Sequence, residues 1–490
     1  MAKDSHLEQT KPKQARIRSK GLWTSGLLAM LLGATFAGSW LFSVDGAKKD
    51  LVEATALADA EDPNWRMADL DVHGRRHFPD AENGALVLLK ADRLLPAGWP
   101  SWPVPEQGED VAVASQKRQQ ISSGLNELAP CLQLNERQTA ALRTELARAS
   151  AAVQEARKLV RFATGRYPVQ WSPDYFSTAL PHEPKLQSVA ALLGYDALLA
   201  AQDGTADQSL ASCLAALNAG RSVGDEQSFS TQLSRIACQS IAVRKSERAL
   251  AQGQPSPAAL ATLQTALAEE AEAPLLYYGV RGMRAGLDGF MELVEKNQVP
   301  LGKLRALVRT TTVSATSPGE LSDLAMLATF TKSQRTAWLR FMTEWVTAAK
   351  LPPDEQRERL EELERNLPNH SFMIQHLGPA LSNAATMCAC ARAELRCAVT
   401  ALASERYRLD KHAWPASPGE LVPAYAAQVP TDPFDGQPLR FRAFDGGLVI
   451  YSIGPDGIDN HGHITANPRA AGTDIGFRLW DIPHRRRPSN

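Results

Sequence analysis

The densest gathering of side chains able to pass protons lies early in the chain. Between Glu61 and His77 stand Asp62, Trp65, Arg66, Asp69, Asp71, His73, Arg75, Arg76 and His77. Histidine titrates near neutral pH and a neighbouring carboxylate can orient it, so these are the parts of general acid–base chemistry. No second motif completes a constellation, and the stretch is expected to be a solvated face plus a loop. A second group lies in the tail, where Asp456, Asp459 and Asn460 are followed, across a loop, by Thr473-Asp474-Ile475-Gly476. Hard oxygen donors on turns suit Ca²⁺. His461 and His463 flank Gly462, but zinc needs a third convergent ligand and none is offered.

Nucleophile signatures are missing. The chain has no G-x-S-x-G elbow, P-loop, H-E-x-x-H or dinucleotide fingerprint. Its six cysteines, Cys131, Cys213, Cys238, Cys388, Cys390 and Cys397, make no C-x-x-C pair, which argues against a structural zinc ribbon. Cys388 and Cys390 sit in a helical pattern and read as buried small residues. A bridge such as Cys213 with Cys238 is permitted in an oxidising compartment, and the pairing stays open. Asp354-Glu355 and Glu361-Glu362 share a charged face with Arg357, Arg359 and Arg365, the pattern of solvated i, i+4 pairs. A net charge of −1 argues against nucleic acid as the main partner. If the helical body holds a hydrolytic site, the aromatic loop from Trp171 to His182 is the place for it, and a concave pocket gathering acids and histidines should show there.

The elements that must position these groups follow from pattern. Lys3, Lys11, Lys13, Arg16, Arg18 and Lys20 make residues 1–20 a basic, cytoplasmic tail, and Gly21 to Val44 carries no charge. At about 1.5 Å per residue that run spans a bilayer core of roughly 30 Å, with Trp23 and Trp40 near its ends. Residues 21–44 are therefore expected to be a retained transmembrane helix, with the bulk of the chain outside. Residues 45–115 read as a stalk and loop-rich linker. There Asp80 is the expected N-cap of a helix through Leu88 to Leu95, and Trp99 to Pro105 should cover a helix pair.

Residues 116–379 read as an irregular α-helical array. Asn135 and Gln138 make a capping box for a helix carrying Leu142, Leu146, Ala149, Val153 and Ala156. Leu186 to Ala201 and Ala206 to Arg221 form a hairpin about Gly204. Further helices are expected over Phe229 to Gln252, Pro257 to Glu272, Leu275 to Asn297, Ser317 to Ala348 and Pro353 to Arg365. Residues 380–490 begin with a helix, Ala380 to Tyr407. Strand candidates Leu439 to Phe444 and Leu448 to Ile453 follow, joined by an Asp445-Gly446-Gly447 turn. The expected fold class is mainly α, with an N-terminal transmembrane helix, the array, and a small α+β module built on an antiparallel β-hairpin.

Within residues 380–490, the order W-P-A-S-P-G-E-L-V-P, V-P-T-D-P-F-D-G-Q-P, a hairpin and Y-S-I-G-P-D-G resembles the headpiece of type II secretion major pseudopilins and related type IV pilin-like proteins. The resemblance implies that the preceding helix is the C-terminal half of a pilin spine, burying Leu395, Val399 and Leu402 against the hairpin. It also implies Ca²⁺ held by backbone oxygens and an Asp beside an Asp-Ile step, which Asp474-Ile475 matches. The implied ligands are Asp456, Asp459 and Asp474, with Ser452 through an oxygen, although His461 and His463 replace the usual Gly-rich part. Pilin processing would cut after Gly21, yet Leu22 follows it and Gly26 stands where those precursors carry Glu. With the long array inserted between anchor and headpiece, the module reads as reused.

The expectation is a non-enzymatic, single-pass protein of the bacterial inner membrane. Its periplasmic or extracellular bulk would present array and module to envelope proteins, among them secretion or pilus-like machinery. A membrane-anchored hydrolase and an atypical pilin-like subunit are the alternatives, and the sequence does not identify a small-molecule ligand.

Overall fold

The computed structural model describes residues 46–74, 78–102, 127–300, 332–366, 371–465 and 470–489, with isolated positions at 116, 121, 123–125, 302 and 467. The basic tail and the expected span at 21–44 lie outside the described residues. Among the described residues no helix is long and apolar enough to cross a membrane.

The fold is mainly helical. Helix α1 runs through residues 46–61, followed by α2 (Met67–Gly74) and α3 (Gly84–Arg93). Asn83, rather than Asp80, caps α3: its side chain accepts from the Ala85 N–H at 3.1 Å. Asp80 instead opens a single 3₁₀ turn. Helices α4 (Glu136–Arg148) and α5 (Ser150–Arg157) follow, and both bonds of the Asn135–Gln138 capping box are formed. Trp99 and Trp102 do cover this region, meeting Tyr195 edge-on at centroid distances of 6.0 and 5.2 Å.

The centre of the body is α6 (Glu183–Gln202), α7 (Ala206–Arg221) and α8 (Phe229–Gln252). Their Ala-rich faces let the backbones come close. At Gly220 an added Cβ would stand 2.9 Å from the Cys238 Cβ and 3.1 Å from the Arg235 carbonyl, so any side chain there would push α7 off α8. Helices α9 (Pro257–Ala271), α10 (Leu275–Glu295), α11 (Lys332–Ala349) and α12 (Pro353–Arg365) complete the array. The part of the expected 317–348 helix before Lys332 falls outside the described residues.

The last helix, α13 (Phe372–Lys411), runs for 40 residues, beyond the expected Ala380 to Tyr407 at both ends. Pro379, just before the expected start, is carried inside the helix. The true N-terminus is set by Ser371, whose Oγ accepts from the Ile374 N–H. His412 closes the other end in a left-handed conformation.

Three strands form one antiparallel sheet in the order β1 (Arg440–Phe444), β2 (Gly447–Ser452), β3 (Ile475–Trp480). Arg440 pairs with Tyr451 and Phe444 with Gly447, then Ser452 with Ile475 and Gly447 with Trp480. The hairpin is as expected; β3 was not. Leu448, Ile450, Phe477 and Leu479 enter the same apolar core as Leu186, Leu217, Cys238 and Leu250 of α6 to α8 and Leu395 and Leu402 of α13. Val399 packs against its edge. The sheet thus shares the core of the helical body. A second core joins Phe290, Trp338, Trp345, Ile374 and Leu381, and a third sets Ala54, Ala58, Trp65 and Leu70 against Ala285 and Leu339.

The final residues stitch the sheet to the helices. Arg486 donates to the Ala201, Gln202 and Gln252 carbonyls at 2.9–3.1 Å, satisfying the orphan carbonyls at the C-termini of α6 and α8 and opposing their dipoles. Arg485 forks onto the buried Glu405 at 3.0 and 3.1 Å. The Arg487 backbone exchanges hydrogen bonds with Cys131 and Gln133 at 2.8 and 2.7 Å. All six cysteines are free thiols; only Cys131 is partly exposed. The buried-small-residue reading of Cys388 and Cys390 holds, and Cys213 and Cys238 are unbridged.

Candidate functional site

Two places gather chemistry-bearing side chains. The first is the loop between β2 and β3. Asp474 is wholly buried at its base; its two carboxylate oxygens accept from the Asn460 N–H at 3.1 Å and the Gly462 N–H at 2.6 Å. Burial pushes its pKa up, with the neighbouring Asp459 charge adding to that, and the two N–H groups offset only part. Asp456 accepts from the Ile458 and Gly472 N–H groups, both at 3.1 Å, and these bonds hold its pKa below the ordinary value. Asp459 accepts from the His461 N–H at 2.8 Å and lies 3.5 Å from Arg440 Nε.

Asp456, Asp459 and Asp474 therefore share one loop, and Asn460 links two of them. Ser452 belongs elsewhere. Its Oγ donates at 2.7 Å to Asp432, the Asp of T-D-P-F, which also accepts from the Phe434 and Ile453 N–H groups and from Arg440. Asp432 is completely buried, so the motif aspartate ties the T-D-P-F turn to the end of β2. Among the described residues no three His, Cys, Asp or Glu side chains are grouped as a metal ion requires. Any Ca²⁺ here would draw on Asp474 and Asp456 together with backbone oxygens of the loop.

The second place is a cleft between the N-terminal segment and the body, of about 720 Å³. Phe78, Leu86, Val169 and Trp171 give it apolar walls, and Arg166 and Tyr167 border it. Its floor forms where the chain crowds. Asn83 reaches across to accept from the Arg166 N–H at 2.9 Å and donate to the Arg166 carbonyl at 3.1 Å. A Cβ at Gly165 would stand 2.7 Å from the Ala85 N and 2.8 Å from the Ser222 O, so only glycine fits this crossing.

A small hollow of about 30 Å³ shares Arg166, Tyr167 and Trp171 with the cleft and is lined by His73 and Asp225 as well; there His73 Nε2 lies 2.7 Å from Asp225 Oδ2. Arg166 donates to the other Asp225 oxygen at 2.7 Å and to the His73 carbonyl at 3.0 Å. Burial alone would raise the Asp225 pKa, but the His73 hydrogen bond and the Arg166 charge outweigh it and hold it low. Beneath, His182 pairs with Glu226 at 3.0 Å and stacks on Tyr167 at 4.2 Å. The Thr231 hydroxyl lies 2.7 Å from Glu226 and 2.8 Å from Glu183.

The expectation of a solvated face over Glu61 to His77 is corrected here. Asp62 and Trp65 are buried; Asp62 takes hydrogen bonds from Arg281 at 2.9 Å and from Arg284, whose guanidinium also lies over Trp65. His73 finds its carboxylate 152 residues downstream. The completing partners are isolated residues on a distant helix and in the turn between α7 and α8, which no local motif could reveal. Arg75, Arg76 and His77 lie outside the described residues. The only available sequence signal was the coincidence of a His-bearing segment with the aromatic loop from Trp171 to His182.

No family model matches the chain, and no curated protein or solved structure matches it either.

Proposed function

We propose that this chain is a non-enzymatic envelope protein, held in the bacterial inner membrane by residues 21–44, whose body and pseudopilin-like sheet form one rigid surface for binding other envelope proteins. The observation that carries this reading is the mutual pairing of polar groups. Beside the cleft, His73, Asp225 and Arg166 satisfy one another, as do His182, Glu226 and Thr231. Groups arranged this way fix segments to each other. Ca²⁺ in the 456–474 loop belongs to the same reading and rests on the resemblance and on the buried Asp474.

A photo-crosslinking residue at Ile458 or Ile482, which are 61% and 60% exposed, tests it in intact membranes. The expected result is one recurrent envelope protein trapped from the full-length chain and lost when residues 1–44 are removed. No adduct from either position or from other surface positions would contradict it.

One observation favours a second reading, hydrolysis in the cleft. His73 is oriented by Asp225 beside an open hollow, as a water-activating base would be. This reading predicts ester or amide turnover by the full chain that disappears in His73→Gln with the fold retained. No turnover across a substrate panel counts against it.

A further inference from the structure

Arg392 is a buried arginine of the body that forms no ion pair among the described residues. It projects from α13 with only 7% of its surface exposed, and its Nε donates to the Ala271 carbonyl at 3.1 Å. The carboxylates whose charge reaches it are Glu272 and Asp354. Both are taken by Arg396, one turn further along, at 3.2 and 2.7 Å. Among the described residues Arg392 therefore has no carboxylate of its own. A guanidinium has five N–H donors in a planar fork, and burying one without an anion costs several kcal/mol.

The guanidinium borders a hollow of about 230 Å³ between α12, α13 and the T-D-P-F turn. Leu276, Leu360, Pro433, Phe434 and Pro455 line it. Arg357 on the rim lies over the Phe434 ring at 5.9 Å and is paired with Glu361 at 2.6 Å. Glu361 and Glu364 also line the hollow, and the Glu361 charge is taken up by Arg357. The hollow thus offers one largely buried, fork-shaped cation without a carboxylate partner among the described residues, set among apolar and polar walls.

We propose that this hollow is a binding site for a monocarboxylate carried on an apolar body, with the carboxylate seated on Arg392. A planar fork matches a carboxylate in bidentate geometry, which favours this anion. Two sources share this chemistry: a free small acid, and the C-terminus of a chain ending in an apolar residue. The site is distinct from the cleft and from the 456–474 loop, and it does not depend on the scaffold reading.

The test is calorimetric titration of the purified full chain with 3-phenylpropionate, with its neutral alcohol as control, and with a tripeptide ending in Phe, as free acid and as amide. Saturable binding of the acid with at least tenfold weaker binding of the alcohol is expected. Tighter binding of the peptide acid than of 3-phenylpropionate assigns the site to chain termini, and the reverse order assigns it to free acids. Arg392→Gln should weaken the acid at least tenfold and leave the alcohol unchanged. Should that variant fail to fold, Thr386→Trp, which fills the hollow from its α13 wall, should abolish binding. Absence of binding by both acids, or equal binding of acid and alcohol, or binding untouched in every folded variant, would overturn the proposal.

Discussion

The sheet junction and the N-terminal cleft are both built from carboxylates and arginines, but they differ in burial. At the junction, Asp432 and Glu405 are fully buried, and each is met by several donors, including Arg440 for one and Arg485 and Arg408 for the other. Burial would raise Glu405, yet the hydrogen bonds and charges of Arg408 and Arg485 hold its pKa low. At the cleft, the side chains of His73 and Asp225 keep 39% and 32% of their surface exposed. Water screens the second pairing and not the first. The junction is therefore architecture whose loss is costly, while the cleft can change at small cost and is open to solvent.

The largest expected effect breaks the junction outright. Ending the chain after Lys411 removes Leu439, Leu448, Ile450, Phe477 and Leu479 from the main core. At about 1.5–3 kcal/mol for each large apolar side chain, the loss is comparable to the whole stability of a domain, about 5–15 kcal/mol. Circular dichroism of the truncated chain should show no cooperative melting transition. Next in size, Asp432→Ala strips Ser452, two N–H groups and Arg440 of their common acceptor. It should lower stability by about 3–5 kcal/mol in urea unfolding, the range for breaking a buried pair. Asp225→Ala in the cleft should cost about 1 kcal/mol or less, as partly exposed pairs do. Equal losses at the two sites would remove the distinction between them.

Glu247 of α8 sharpens the comparison through pH. Burial lifts its pKa to about 7, the nearby Arg478 charge and N–H offsetting only part. The folded state therefore holds a proton that the unfolded chain has released above about pH 4.5, so stability falls as pH rises from about 4.5 to 7. The loss is on the order of 3 kcal/mol, and Glu247→Gln should flatten that limb of a stability–pH curve. Asp225 runs the opposite way: its lowered pKa gives stability that is lost as pH falls below the ordinary carboxylate range. The smallest effect is Ca²⁺, which should raise the thermal midpoint of the full chain saturably, and Asp474→Ala should abolish that rise.

Local pattern revealed much of this architecture and little of its polar wiring. The Asn135–Gln138 box, the α6–α7 hairpin and the β1–β2 turn follow from neighbouring residues, so they were legible. Strand β3 was not, because I-G-F-R-L-W follows a long loop and its pairing with β2 is set by tertiary packing. The α13 helix runs past both expected ends, carrying Pro379 inside it, because a buried face outweighs one missing N–H. Asp456, Asp459 and Asp474 were rightly placed on one loop, whereas Ser452 answers to Asp432. His73 with Asp225, Asp62 with Arg281, and the lack of a carboxylate for Arg392 among the described residues are relations between segments distant in sequence, and spacing in sequence carries no trace of them.

Amide hydrogen exchange on the full chain tests most directly whether the sheet is part of the body or a headpiece attached to it. Slow amides of β2 and β3 are expected to exchange with the same opening free energy as those of α6 to α8, all through global unfolding. Sheet amides that open several kcal/mol more easily, with the helical core still protected, would contradict the account and make the C-terminal module a separable unit.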